Sequence, residues 1–198
     1  MASTGLLAVL IFIIPMCFTP GPNNLLCAAH GSQHGFRNTI PLTIGMAIGW
    51  STLGIFVAIA ADYIEQEQEL FRILTYFGAT YISYLAYKIA TSSTIKDEHN
   101  TELLGIKTGV LLQLVNGKAW IHFLVLMAIP FTLFGVGLTG KIALVFLNLF
   151  FGLPAVLTWS YFGTILRRFF NSPSKAKWLN YSLGLSLFGV ALWIALPH

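Results

Sequence analysis

LLAVLIFIIPMCFTPGPNNLLCAA, residues 6–29, is apolar for most of its length and is interrupted near its middle by Thr19-Pro20-Gly21-Pro22-Asn23-Asn24. At about 1.5 Å per residue such a run, if helical, spans the ~30 Å hydrocarbon core of a bilayer. Pro20 and Pro22 each remove a backbone donor and obstruct the carbonyl four residues earlier, while Gly21 loosens the backbone between them. In lipid, the groups so freed need partners from neighbouring helices, side chains or water. A lone proline would read as a kink. Two prolines, a glycine and two asparagines together read as a solute site instead.

Five more apolar runs follow the first. They predict helix 2 from Thr39 to Ala61, helix 3 from Leu70 to Ala90 and helix 4 from Gly105 to Phe131. Helix 5 then runs from Gly140 to Leu166 and helix 6 from Trp178 to Leu196. The 198 residues are 56% hydrophobic and only 9% charged, against about a quarter charged in a soluble domain. Lipid is therefore the expected solvent. A closed barrel would also satisfy every backbone group there, but these runs are long and lack two-residue alternation. The expected fold is an all-α integral membrane protein of six transmembrane helices. The first run has no Lys or Arg ahead of it, so it is read as a span rather than a cleaved leader.

Charge predicts the orientation. The loops after helices 1, 3 and 5 carry Arg37, Lys88, Lys96, Lys107, Arg167, Arg168, Lys175 and Lys177, whereas the opposite side has Arg72 and Lys141. This asymmetry places the richer side in the cytoplasm and both termini outside it. The net charge of +4 is spread over short loops without a continuous basic face, so nucleic acid is not an expected partner. The acidic loop of Asp62, Glu65, Glu67 and Glu69 falls on the outer side.

Three helices followed by three helices let the second half enter the membrane in the opposite sense. The chain then reads as one transporter domain, 1–198, built from two inverted three-helix repeats at about 1–91 and 105–198. The break in helix 1 has a counterpart in helix 4, Gln113-Leu114-Val115-Asn116-Gly117-Lys118. Both breaks lie roughly 10–18 Å from the cytoplasmic ends of their helices, near the midplane. A weaker echo pairs Gly49-Trp50-Ser51 and Gly54 with Trp159-Ser160 and Gly163.

Lys118 is the only Lys or Arg well inside a span. A charge there costs on the order of several kcal/mol unless paired or hydrated, which marks it as functional unless its long stem carries the amine to the interface. His122 follows one turn later on the same face. The candidate substrate-binding residues are Pro20, Gly21, Pro22, Asn23, Asn24, Gln113, Asn116 and Lys118, and Lys118 or His122 would carry a coupled proton. Cys17 and Cys27, about 15 Å apart on one helix, are beyond disulfide reach and read as small buried residues. Gly45 and Gly49, like Gly31 and Gly35, read as sites of close helix approach. All seven carboxylates lie in loops or at helix ends, and GxSxG, HExxH and glycine-rich phosphate-loop motifs are absent. No catalytic residue, metal site or cofactor is therefore expected, and the chain is not read as an enzyme.

The Pro20-Gly21-Pro22 motif, with Gly31, Gly35, Gly45 and Gly49 at matching spacing, resembles the LysE/RhtB family of amino-acid exporters. Gly78-Ala79-Thr80-Tyr81, the stretch to Ser92 and Gln113–Lys118 fit the same pattern, although the family often has proline where Gly117 stands. That departure keeps the break and softens it. TPGPNN, His34-Gly35-Phe36-Arg37 and Tyr87-Lys88-Ile89-Ala90-Thr91-Ser92 look most similar to the cysteine/O-acetylserine exporter branch. The resemblance implies proton-driven export of small neutral amino acids across a bacterial inner membrane. The expected partners are then the amino-acid substrate, protons and the lipid bilayer, with homo-oligomerisation open. The competing readings are a membrane thiol-disulfide carrier, which would need cysteines on different helices, and a non-transporting membrane subunit.

Overall fold

The computed structural model describes residues 2–64, 76, 80, 83–91, 102–128, 133, 135, 137–169 and 172–195. Regular structure among them is helical throughout: α1 (Ala2–Phe18), α2 (Pro22–His34), α3 (Phe36–Ile64), α4 (83–91), α5 (Ile106–Val115), α6 (Gly117–Ala128), α7 (Gly137–Phe169) and α8 (Pro173–Ala195). The expected first part of helix 3, including Gly78, Ala79 and Tyr81, lies outside the described residues. So do Glu65, Glu67, Glu69, Arg72, Lys96 and Leu196.

Both expected breaks are present. Helix 1 divides into α1 and α2 at Thr19–Gly21, and helix 4 divides into α5 and α6 at Asn116. The second break bends the chain by 64°. Pro22 and Gly117 occupy the same place, the first residue of the second half-helix, where a backbone N–H has no intrahelical partner to lose. The helices otherwise overrun the apolar stretches that announced them. α3 begins at Phe36 rather than Thr39, and α8 begins at Pro173 rather than Trp178. Hydropathy marks where lipid ends, while the hydrogen-bonded ladder continues through Arg37, Lys175 and Lys177.

Among the described residues, Val9–His34, Phe36–Ala60 and Gly137–Arg168 are long and apolar enough to cross a bilayer, and the bent pair Ile106–Val115 with Gly117–Met127 makes a fourth. α8, with its lysines, asparagine and serines, falls outside that set.

In lipid, helices associate through close packing rather than through expulsion of water, so small residues decide which faces meet. α2 lies along α7, with Gly31 pressed on the backbone of Ser160 and Gly163 on that of Ala28. α3 lies along α5, where Gly45 meets Ile106 and a methyl added at Gly49 would stand 2.8 Å from the Val110 carbonyl. At Gly54 it would stand 2.6 Å from the Phe123 ring. Gly35 differs from the reading as a packing glycine. A methyl added to it would meet nothing within 4 Å, and its φ of 82° ends α2 in a conformation that L side chains rarely adopt.

Contacts advance together along each pair, so the partners are parallel. Phe18 meets Trp159 toward one end and Gln33 meets Arg167 at the other, with Ala28 and Gly31 crossing close against residues 160–164 between them. Gly45 and Gly49 meet Ile106 and Val110 in order. Two apolar clusters result. One joins α2, α5, α4 and α8 through Leu26, Leu112, Leu85 and Leu187. The other joins α1, α3, α6 and α7 through Ile13, Leu53, Phe123 and Val145. The half-helices of each broken span belong to different clusters, and the breaks lie where the clusters meet.

Candidate functional site

Each carbonyl that the prolines orphan has acquired a side-chain partner. Pro20 cannot donate to Met16, and the Thr19 hydroxyl makes a long 3.4 Å contact to that oxygen instead. Pro22 cannot donate to Phe18, whose carbonyl accepts from the Trp159 indole at 3.1 Å. Asn24 Nδ2 donates to the Cys17 and Thr19 carbonyls at 2.7 and 2.8 Å. Asn24 is buried and braces the break. The unwound turn is thus a built feature, with Gly21 fully extended at φ −164°, ψ 177°.

Asn23 instead reaches across to helix 4. Its Nδ2 donates to Gln113 Oε1 at 2.8 Å, and its Oδ1 accepts from Gln113 Nε2 at 3.2 Å and from Asn116 Nδ2 at 3.1 Å. This triad joins the two breaks. Asn23 is its hub, and Gln113, expected among the substrate-binding residues, is fully buried behind it and does not line the neighbouring cavity. Asn116 is 2% exposed, and its Oδ1 is a buried acceptor without a partner. An unmade bond of that kind in a low-dielectric site costs about 1–3 kcal/mol.

A cavity opens beside the triad. It is lined by Cys17, Gly21, Pro22, Asn23, Asn24, Asn116 and Lys118 from the two broken helices, by Met46 and Trp50 of α3, and by Gly152 and Leu153 of α7. Its volume of about 50 Å³ is several times the ~10–15 Å³ that one water requires. Lys118 is half-buried and turns toward helix 1. Its Nζ donates to Thr19 Oγ1 at 3.2 Å and would lie 3.0 Å from a methyl placed on Gly21. Among the described residues no carboxylate pairs with it. The N-termini of α2 and α6 border the same cavity, and each presents orphan N–H groups and the positive end of a helix dipole.

His122 does not line the cavity. It is buried one turn beyond Lys118, stacked on Phe12 at 5.0 Å and tilted against Trp50 at 5.2 Å. Asn148 of α7 lies 2.5 Å from its Nε2 and accepts from the Trp50 indole at 2.6 Å. Asn148 gave no signal in the sequence, since one asparagine in an apolar run reads as packing. Trp50 was visible only through the weak echo with Trp159. Cys17, read as a small buried residue, is instead part of the cavity wall, while Cys27 is buried against Met46 Sδ at 3.5 Å.

The curated cysteine/O-acetylserine efflux protein of Escherichia coli O1:K1 is 34% identical over 119 residues, 60% of this chain and 61% of that protein. The protein of the same name from Klebsiella pneumoniae is 32% identical over the same share of each chain. That of Salmonella typhi is 36% identical over 101 residues, 50% of this chain and 52% of its own. The chain therefore spans between half and two thirds of the length of these relatives. No solved structure matches it. Residues 14–197 match the LysE type translocator family. The chain belongs to that family, whose members are multi-pass membrane transporters rather than enzymes.

Proposed function

We propose that the chain is a secondary active exporter of small neutral amino acids or their derivatives, working by alternating access at the cavity between the two broken helices. What carries this reading is that the cavity is lined by Lys118, a cation with a hydroxyl but no carboxylate partner among the described residues, and by Asn116, whose buried Oδ1 accepts no hydrogen bond. A zwitterion needs both. Its carboxylate would meet Lys118 and the N-terminal amides of α2 and α6, and its ammonium Asn116 Oδ1. The carbonyls at the helix 1 break are a poorer choice for the ammonium, since those of residues 16–19 already have side-chain contacts. The named relatives favour cysteine- or O-acetylserine-like substrates, with homoserine- or threonine-like ones as the alternative. Proton coupling is assigned to Lys118 or His122.

Six spans in two inverted repeats fit this reading. α3 and α5 run parallel, which suits a third span between them that would include α4. α8 is the sixth. Helix 1 packs on helix 5 and helix 4 on helix 2, as a two-fold exchange of the halves requires. The ends carrying Arg37, Lys107 and Arg167 gather on one side, where the Arg167 guanidinium donates to the Gln33 carbonyl and His30 accepts from Leu104 N. That side is assigned to the cytoplasm.

The test is counterflow. Purified protein in liposomes loaded with unlabelled cysteine, O-acetylserine, homoserine or threonine should take up the labelled solute far above empty vesicles. Folded protein that exchanges none of a full amino-acid panel would reject the exporter reading. For orientation, a reporter that fluoresces only in the cytoplasm should stay dark after His198 and light up near Lys96. The reverse pattern would invert the assignment.

A further inference from the structure

The Trp50–Asn148–His122 chain has donors and acceptors that leave no freedom of assignment. An indole nitrogen only donates, so the Asn148 atom 2.6 Å from Trp50 Nε1 must be the carboxamide oxygen. The opposite atom, 2.5 Å from His122 Nε2, is then the amide nitrogen, which also only donates. His122 Nε2 therefore accepts, and the ring is neutral with its proton on Nδ1. Asn148 is fully buried, so water cannot substitute for either bond.

A second proton on His122 must enter at Nε2. It would then point an N–H at the Asn148 NH2 group, donor against donor. The carboxamide can relieve this by turning half a revolution about its terminal bond, which brings its oxygen to His122. The same turn presents its NH2 to the Trp50 N–H, and the clash moves to the cavity wall. One amide cannot satisfy both rings once His122 is charged. We propose that Asn148 is a positioning residue that couples the protonation of His122 to the orientation of Trp50, so that proton uptake reshapes the substrate cavity.

The surroundings permit this coupling. Among the described residues, the side chains in ring or hydrogen-bond contact with His122 are Phe12 of α1, Trp50 of α3, Phe123 of α6 and Asn148 of α7, none of which titrates. The charged group on its own helix is Lys118, one turn earlier, and the Cys17 thiol lines the cavity beyond it. The consequence for transport rests on the exporter reading, but the link between the two rings does not.

The experiment is therefore spectroscopic. In purified protein labelled with 15N at histidine and tryptophan, the His122 and Trp50 signals are assigned by their loss in His122→Gln and Trp50→Phe. Both are followed between about pH 4 and 9. The Trp50 indole resonance should shift with the same midpoint as the His122 ring. Asn148→Leu removes both bonds while the rings stay 5.2 Å apart, so the Trp50 signal should lose the midpoint it shares with His122, and a midpoint still shared in that variant overturns the role of Asn148. A Trp50 signal that is flat through the His122 titration in the unaltered protein overturns the proposal, as does a His122 that does not titrate in that range. Failure of counterflow with an intact shared midpoint would instead overturn the exporter reading alone.

Discussion

Lys118→Ala should abolish amino-acid export while the protein still inserts and melts as before. The ammonium has a hydroxyl partner, Thr19 at 3.2 Å, and no carboxylate among the described residues. Removing it thus leaves no buried anion unpaired. On the proposed reading, what is lost is the charge that would meet an incoming carboxylate at a half-buried site. Truncating one member of a desolvated, hydrogen-bonded charge pair costs about 2–5 kcal/mol, roughly 30- to 5,000-fold in affinity. Lys118→Arg should retain at most a fraction, because the wider guanidinium must fit where Nζ already abuts Gly21. Amino-acid amides, which lack the carboxylate, should be poor substrates of the unaltered protein. Binding and counterflow in liposomes read all three. If Lys118→Ala exports with unchanged affinity, the lysine only reaches for the interface.

How legible this site was depended on the kind of residue involved. Proline and glycine act on their own backbone, so Thr19–Pro22 announced a break without any knowledge of neighbours. Lys118 was equally plain, because a charge deep in an apolar run needs a reason wherever it points. Asn23 and Asn24 looked alike in sequence but do different things. One ties helix 1 to Gln113 and Asn116, and the other binds the chain's own carbonyls. Only the direction of each side chain from α2 separates them. Gly31 and Gly35 were likewise indistinguishable by spacing, yet one admits Ser160 and the other turns the chain.

Asn148 could not be read from the sequence at all. Its partners are 26 and 98 residues away, and nothing local sets it apart from a packing asparagine. The residues of the weak echo, Trp50-Ser51 with Gly54 and Trp159-Ser160 with Gly163, also take their meaning from distant partners. Gly54 seats Phe123 of helix 4, and Gly163 seats Ala28 of helix 1. Trp50 holds Asn148 beside one break, and Trp159 caps Phe18 at the other. Contacts of this kind become visible only once the helices are set against each other.

The break in helix 1 makes the other large prediction. Pro20→Ala with Gly21→Ala and Pro22→Ala would restore the amides that α1 lacks at its end and allow one helix to run from Ala2 to His34. Each proline replaced removes about 3 kcal/mol of resistance to that helix. The Met16, Phe18 and Cys17 carbonyls would then be bonded along the backbone, which displaces Thr19, the Trp159 indole and the Asn24 amide from their present partners. A methyl at position 21 would also press on Lys118 Nζ. Stability should change little, since the gain from a better helix former is offset by the buried Asn24 amide losing its carbonyl partners, about 1–3 kcal/mol. Transport should fall at least about tenfold, equivalent to about 1.4 kcal/mol. The N-terminal amides of α2 would no longer face the cavity, and Asn23 could not keep its register with Gln113 and Asn116. Uptake into inverted vesicles, beside a melting curve of the purified protein, separates the two effects. A stable triple variant that transports at the normal rate would reduce Pro20-Gly21-Pro22 to a bend with no part in solute binding.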